Sequence, residues 1–162
     1  MNREAEFEAI FNSYYNRVFR LCKGYYTGDE AMAKDMVQEV FVKAWQHLDT
    51  FREEAGIGTW IYRIAVNTCL SEKRKARYRR EMQNVSFKEP VSPEYDDKKE
   101  TQLQQLYACI NKLAALDKMI IMLVLEGVTY KEVAGITGIE EPSIRVRIHR
   151  IKNKLTQCVH HE

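Results

Sequence analysis

Apolar residues recur every three or four positions through most of this 162-residue chain, and that step is the spacing of one face of an α-helix. Phe7, Ile10, Phe11, Tyr14, Val18, Leu21 and Tyr25 form the first such stripe, which predicts a helix from about Glu4 to Tyr25. Ala33, Met36, Val37, Val40, Ala44 and Leu48 form a second over Glu30 to His47, with Thr27 or Asp29 ready to cap it. After an irregular stretch, 49–58, a third helix is expected near Thr59, carrying Ile61, Ile64, Ala65 and Thr68 inward. With only 7 Gly and 3 Pro, the chain lacks the turn residues that an all-β fold consumes. The expected class is all-α.

The period lapses once. From Glu81 to Lys99 apolar residues are sparse, charges are mixed, and Pro90 and Pro93 flank Val91 and Ser92. That composition reads as a flexible linker, dividing the chain into two small helical domains, 1–80 and 100–162. The second opens with Leu103, Leu106, Tyr107, Ile110 and Leu113, followed by a strongly apolar helix over Asp117 to Leu125 that Gly127 stops. Thr129-Tyr130-Lys131-Glu132 has the form of a capping box. Gly138 can end the short helix in a left-handed conformation, and Pro142 suits the first turn of the next. Ile144, Ile148, Ile151 and Leu155 give that last helix one buried edge. Two short helices about a glycine turn make a helix-turn-helix.

Charge distribution says what such a motif would bind. A net charge of +2 conceals two basic blocks, Lys73 to Arg80 and Arg145 to Lys154, and paired blocks of this kind point to a polyanion. The last helix offers Arg145, Arg147, His149, Arg150 and Lys152 beside its apolar edge. Arginine forks onto guanine edges in a major groove, while flanking cations neutralise phosphates.

Catalysis finds little to work with. Cys22, Cys69, Cys109 and Cys158 are scattered, without the close pairs that zinc sites use, and are read as reduced thiols filling small gaps between helices. No grouped His/Cys/Asp set and no phosphate-cradling glycine loop occurs, so no enzyme activity, cofactor or metal is expected. Met119 to Leu125, the longest apolar run, falls far short of the roughly 18 residues that span a bilayer. The polar N-terminus has no export-signal core, and a cytoplasmic protein is expected.

Several segments taken together resemble a known family. Val128-Thr129-Tyr130-Lys131-Glu132-Val133-Ala134, Gly138-Ile139 and Ser143 to Arg150 resemble region 4 of extracytoplasmic-function (ECF) sigma factors of the sigma-70 family. Asp35 to Trp45 resembles their region 2.2, and Gly58 to Asn67 their regions 2.3 to 2.4. The resemblance covers nearly the whole chain and implies a promoter-specificity subunit of RNA polymerase. It assigns the β′ coiled coil of core polymerase to Asp35, Gln38 and Glu39, with Trp45 nearby. Melted −10 DNA falls to the 51–58 loop and helix three: Phe51 and Arg52 line a base pocket, Asn67 reads a base edge, and Arg63, Lys73 and Arg74 meet phosphates. Duplex −35 DNA falls to Ser143, Arg145, Val146, His149 and Arg150. An anti-sigma factor is the implied regulatory partner.

The sequence departs from the family in three places. Val146 stands where a small polar residue is usual, Pro142 replaces a common glycine, and Ala115 stands where a proline is usual. A valine at 146 either contacts a thymine methyl or faces away. Without the resemblance, the residues also allow a helix-turn-helix regulator that binds duplex operators without being a polymerase subunit.

Overall fold

The computed structural model describes residues 2–51, 55–83 and 98–161, with side chains described outside 73–83 and 98–100. Among these residues it is all-helical: α1 (Arg3–Tyr25), α2 (Glu30–His47), a single 3-10 turn (Leu48–Thr50), α3 (Ile57–Gln83), α4 (Lys98–Asn111), α5 (Ala115–Leu125), α6 (Tyr130–Thr137) and α7 (Glu141–His161). The side chain of Asn2 caps α1 by accepting from the Glu4 amide, and that of Asp29 caps α2 by accepting from Met32. Each satisfies an amide that the first helical turn leaves without a backbone partner. Helix α3 starts at Ile57, two residues ahead of the expected Thr59. Its apolar edge extends to Ile57, which packs against the core.

Helices α1 to α3 bury Val18, Leu21, Cys22 and Tyr25 against Val37, Val40, Ile61 and Ala65. In the second unit, α5 is buried along most of its length, and α7 contributes Ile144, Ile148, Ile151 and Leu155. Thr129 caps α6 by accepting from the Glu132 amide at 3.2 Å. The Glu132 carboxylate accepts from the Thr129 hydroxyl at 2.9 Å, so the reciprocal half of the capping box runs side chain to side chain. Gly138 ends α6 with φ at 78°, a conformation that side chains resist. Losing the cap by Thr129→Ala should cost about 1 kcal/mol, read as a lowered urea midpoint at unchanged slope.

Periodicity assigns each unit its own apolar stripe; the structure joins the two stripes into one core. Helix α3 packs on α6, and α1 on α5. A Cβ on Gly24 of α1 would meet the end of the Met122 side chain of α5, which would have to shift to make room. Across the same seam Arg20 Nε donates to both carboxylate oxygens of Glu126, at 3.2 and 3.1 Å. Lys118, only 3% exposed, donates to Asn111 at 2.6 Å and holds its ammonium 5.1 Å from the centre of the Tyr25 ring. Burial pushes the Tyr62 phenol above its ordinary pKa, with the Glu126 charge adding to the effect.

Candidate nucleic-acid and polymerase interfaces

On α7 the burial pattern sorts the polar side chains. Ile144, Ile148, Ile151 and Leu155 face inward, while Ser143, Arg145, Val146, His149 and Arg150 face solvent. The five positions assigned to −35 DNA therefore lie on the open side of one helix. Val146 is 51% exposed, so it faces out rather than into the core. Arg145 pairs with Glu141 one turn earlier at 2.8 Å and lies 5.6 Å from the Tyr130 ring centre. An exposed pair of this type is worth a few tenths of a kcal/mol, which a guanine edge can displace. Arg147 behaves differently from the sequence reading. Its Nε donates to Asp117 on α5 at 2.6 Å, so it locks the helix to the module instead of being presented. Lys152 is drawn to Tyr130, donating to the phenol oxygen at 3.3 Å.

The α2–α3 junction forms an open cleft of about 410 Å³ lined by Lys43, His47, Ile64, Asn67, Thr68 and Ser71. Asn67 is exposed at this cleft, with amide donor and acceptor both available to a base edge. Lys43 donates to Thr68 at 3.2 Å and pairs with Glu39 at 3.2 Å, while the Thr68 hydroxyl donates to the Ile64 carbonyl at 2.7 Å. The sequence does not single out Lys43, His47 and Ser71, and it marks Thr68 only as an inward-facing residue of α3. His47 and Ser71 fall outside the resembling segments, and a lysine and a threonine one or two helices apart give no shared local signal.

Other −10 positions are distributed more widely. Phe51 packs on Trp60, with ring centres 4.9 Å apart. Arg63 lies one turn before Asn67 on α3, and its Nη2 donates to the Gly135 carbonyl of α6 at 2.8 Å. Arg52 lies outside the described residues, and the side chains of Lys73 and Arg74 lie outside them too, though α3 continues through both positions.

On α2, Asp35 and Gln38 are exposed, and Glu39 is half-buried beside Lys43. Trp45 is half-buried under Arg3, whose guanidinium sits 4.3 Å from the ring centre, and against Phe7 at 5.3 Å. Much of the Trp45 face is thus spent inside the unit. Phe7, Phe11, Tyr15 and Phe41 continue this contact as a run of neighbouring rings along α1 and α2. Exposed Val42 adds apolar surface one turn beyond Gln38.

The cysteines correct the sequence reading. Cys109 on α4 and Cys158 on α7 form a disulfide, with Cα atoms 5.9 Å apart. Sequence spacing could not reveal a pair 49 residues apart that only the packing of α4 on α7 brings together. Cys22 and Cys69 are free, buried neighbours with sulfurs 3.8 Å apart. Their mutual hydrogen bond, then burial, push the Cys22 thiol far above its ordinary pKa. Among the described residues no helix is long and apolar enough to cross a membrane.

All-helical, with a helix-turn-helix in its second module and an amide-bearing cleft in its first, the chain has the architecture of a bipartite helix-turn-helix protein. Comparison with known proteins agrees. Residues 10–79 match sigma-70 region 2, and residues 103–155 match sigma-70 region 4. The ECF RNA polymerase sigma-E factor of Escherichia coli K12 is 31% identical over 167 residues, covering 94% of this chain and 86% of that protein. The ECF sigma factor EcfG of Rhodopseudomonas palustris is 24% identical over 135 residues, covering 83% and 75%. In fold, the chain matches the sigma factor RpoE of Bartonella quintana, solved with the anti-sigma factor NepR, at a TM-score of 0.80 with 23% identity and 96% and 97% coverage. It also matches CnrH, solved with the cytosolic domain of CnrY, at 0.73 with 19% identity and 98% and 90% coverage. The chain belongs to the ECF group of sigma-70 family RNA polymerase sigma factors. As such it directs core polymerase to promoters for transcription initiation.

Proposed function

We propose that the sigma activity is divided between residues 1–80 and 100–162, with 81–99 as the connection that limits their spacing. The outer face of α2, through Asp35, Gln38, Glu39 and the edge of Trp45, holds the β′ coiled coil. The α2–α3 cleft takes one unstacked base of the melted −10 strand. Asn67 hydrogen-bonds the base edge there, and Phe51, Arg52, Arg63, Lys73 and Arg74 stack or neutralise the neighbouring strand. Helix α7 enters the −35 major groove with Ser143, Arg145, Val146, His149 and Arg150. The protein does this by binding alone, as a non-enzymatic subunit working in the cytoplasm beside core polymerase.

The observation that carries this reading is the one-sidedness of α7: the assigned positions are exposed while Arg147 and the isoleucines are tied inward. Tethering two modest DNA sites makes the second contact intramolecular and raises the overall affinity. Capture of an extruded base shifts the closed-to-open equilibrium of the DNA towards the melted form. Arg63 would share or release the Gly135 carbonyl of α6 to meet a phosphate, a step that loosens the contact between α3 and α6. An anti-sigma factor that holds the two units together would keep the protein off DNA. The solved relatives bound to NepR and CnrY support that partner class.

The test separates melting from duplex binding. Asn67→Ala should reduce open-complex formation roughly tenfold, the loss of a base-edge contact worth about 1–3 kcal/mol, while affinity for −35 duplex stays unchanged. Permanganate reactivity of −10 thymines and fluorescence anisotropy of the duplex report the two steps. Equal loss in both would remove Asn67 from base capture.

A further inference from the structure

The C-terminal module must hold together under two different conditions. In the structure it leans on the first unit through α6 against α3 and α5 against α1. Parted from that support, residues 98–161 would rely on their own core, and a unit of this size is marginal without a staple. One staple is present. The bond between Cys109 and Cys158 joins the helix that opens the module to the last turns of its DNA-facing helix, enclosing α5, α6 and most of α7. A cross-link around so long a loop removes unfolded conformations and so favours the folded module.

The two sulfurs differ in access. Cys109 is 2% exposed, while Cys158 is half-buried near the end of α7. Cys22 and Cys69 provide an internal contrast: they are also neighbours, yet both are wholly enclosed and unbonded. Thiol exchange needs a sulfur that an incoming thiolate can reach. Of the four cysteines, Cys158 is the one that is not fully buried.

We infer that Cys109 and Cys158 form a reversible redox-modification site, whose reactant is a low-molecular-weight thiol and its disulfide, and whose state sets how well the module binds duplex DNA. In the reducing direction a small thiolate attacks Cys158 Sγ. The bond to Cys109 breaks, and Cys109 leaves as a thiolate and takes up a proton. A second small thiolate then attacks the small-molecule sulfur of the mixed disulfide, releasing Cys158. Two small thiols become one small disulfide, and the protein disulfide becomes two thiols. Oxidation runs the same steps backward, beginning at Cys158. The bonded form keeps α7 pre-organised when the module stands apart from the first unit. The DNA effect rests on the reading of α7 as the −35 helix; the exchange chemistry does not.

The experiment uses the full chain in buffers of graded reduced and oxidised glutathione. After alkylation and digestion, peptide masses should show a single transition joining Cys109 to Cys158, with Cys22 and Cys69 blocked from alkylation until the protein is unfolded. Affinity for a duplex upstream of a mapped start site should fall roughly threefold to tenfold on reduction, the cost of lost pre-organisation. The Cys109→Ala/Cys158→Ala double variant should match the reduced wild type in every buffer. Cys158 alkylated throughout, a bond that survives the most reducing buffer, or equal wild-type affinity in both states would each overturn the inference. Arg145→Ala serves as the control: it should retain the exchange transition while losing DNA affinity. If it loses none, the recognition-helix reading fails and the redox site stands on its own.

Discussion

Replacing Arg145 and Arg150 together with alanine should lower affinity for −35 duplex DNA by about 2–6 kcal/mol, thirtyfold or more, from two base contacts worth about 1–3 kcal/mol each. Both guanidiniums leave the exposed side of α7, and the Glu141 pair that holds Arg145 is too exposed to compete strongly. Arg147→Ala provides the contrast. Because its charge is spent on Asp117, its loss should loosen α7 against α5 and leave specific contacts in place, changing affinity less than either of the other arginines. Anisotropy titrations at two salt concentrations distinguish the roles, since each lost phosphate contact also flattens the salt dependence. An Arg147 variant as impaired as the double variant would mean that the helix is rotated from the face described here.

The second large effect is on stability. Ile148 is 1% exposed at the middle of the inner edge of α7, and Ile148→Ala should destabilise the protein by about 2–5 kcal/mol through lost burial and the cavity left behind. That is a large share of the roughly 5–15 kcal/mol that folded proteins possess. Urea unfolding of the oxidised full chain measures it. A loss below about 1 kcal/mol would show that the site collapses around the smaller side chain or that the face is less enclosed than it is here.

Much of this architecture is written locally. The limits of α2 follow from the Asp29 cap and an unbroken three-and-four spacing, and the helix-turn-helix follows from Thr129, Gly138 and the isoleucines of α7. Each feature depends on neighbours within one or two turns. What the sequence hides depends on partners far along the chain. Periodicity could place Arg147 near the rim of a basic helix, but only the approach of α5 reveals Asp117 beside it. Arg63 reads as a free cation until α6 brings the Gly135 carbonyl within reach. The same limit applies to Cys109 and Cys158, and to the α2–α3 cleft, where Lys43 and His47 meet Asn67 and Ser71 from another helix. Gly24 is legible only in retrospect: within α1 it looks like a weak point near a helix end, whereas in three dimensions it is where the Met122 side chain comes through.

Run-off transcription from a mapped promoter, with purified core polymerase and the full chain, tests the division of labour most directly. Core alone should give no defined start, wild-type chain should restore it, and Asn67→Ala and Arg145→Ala/Arg150→Ala should each depress it through separable steps, the first in melting and the second in duplex binding. Start-site selection that persists at wild-type level in both variants would contradict the account.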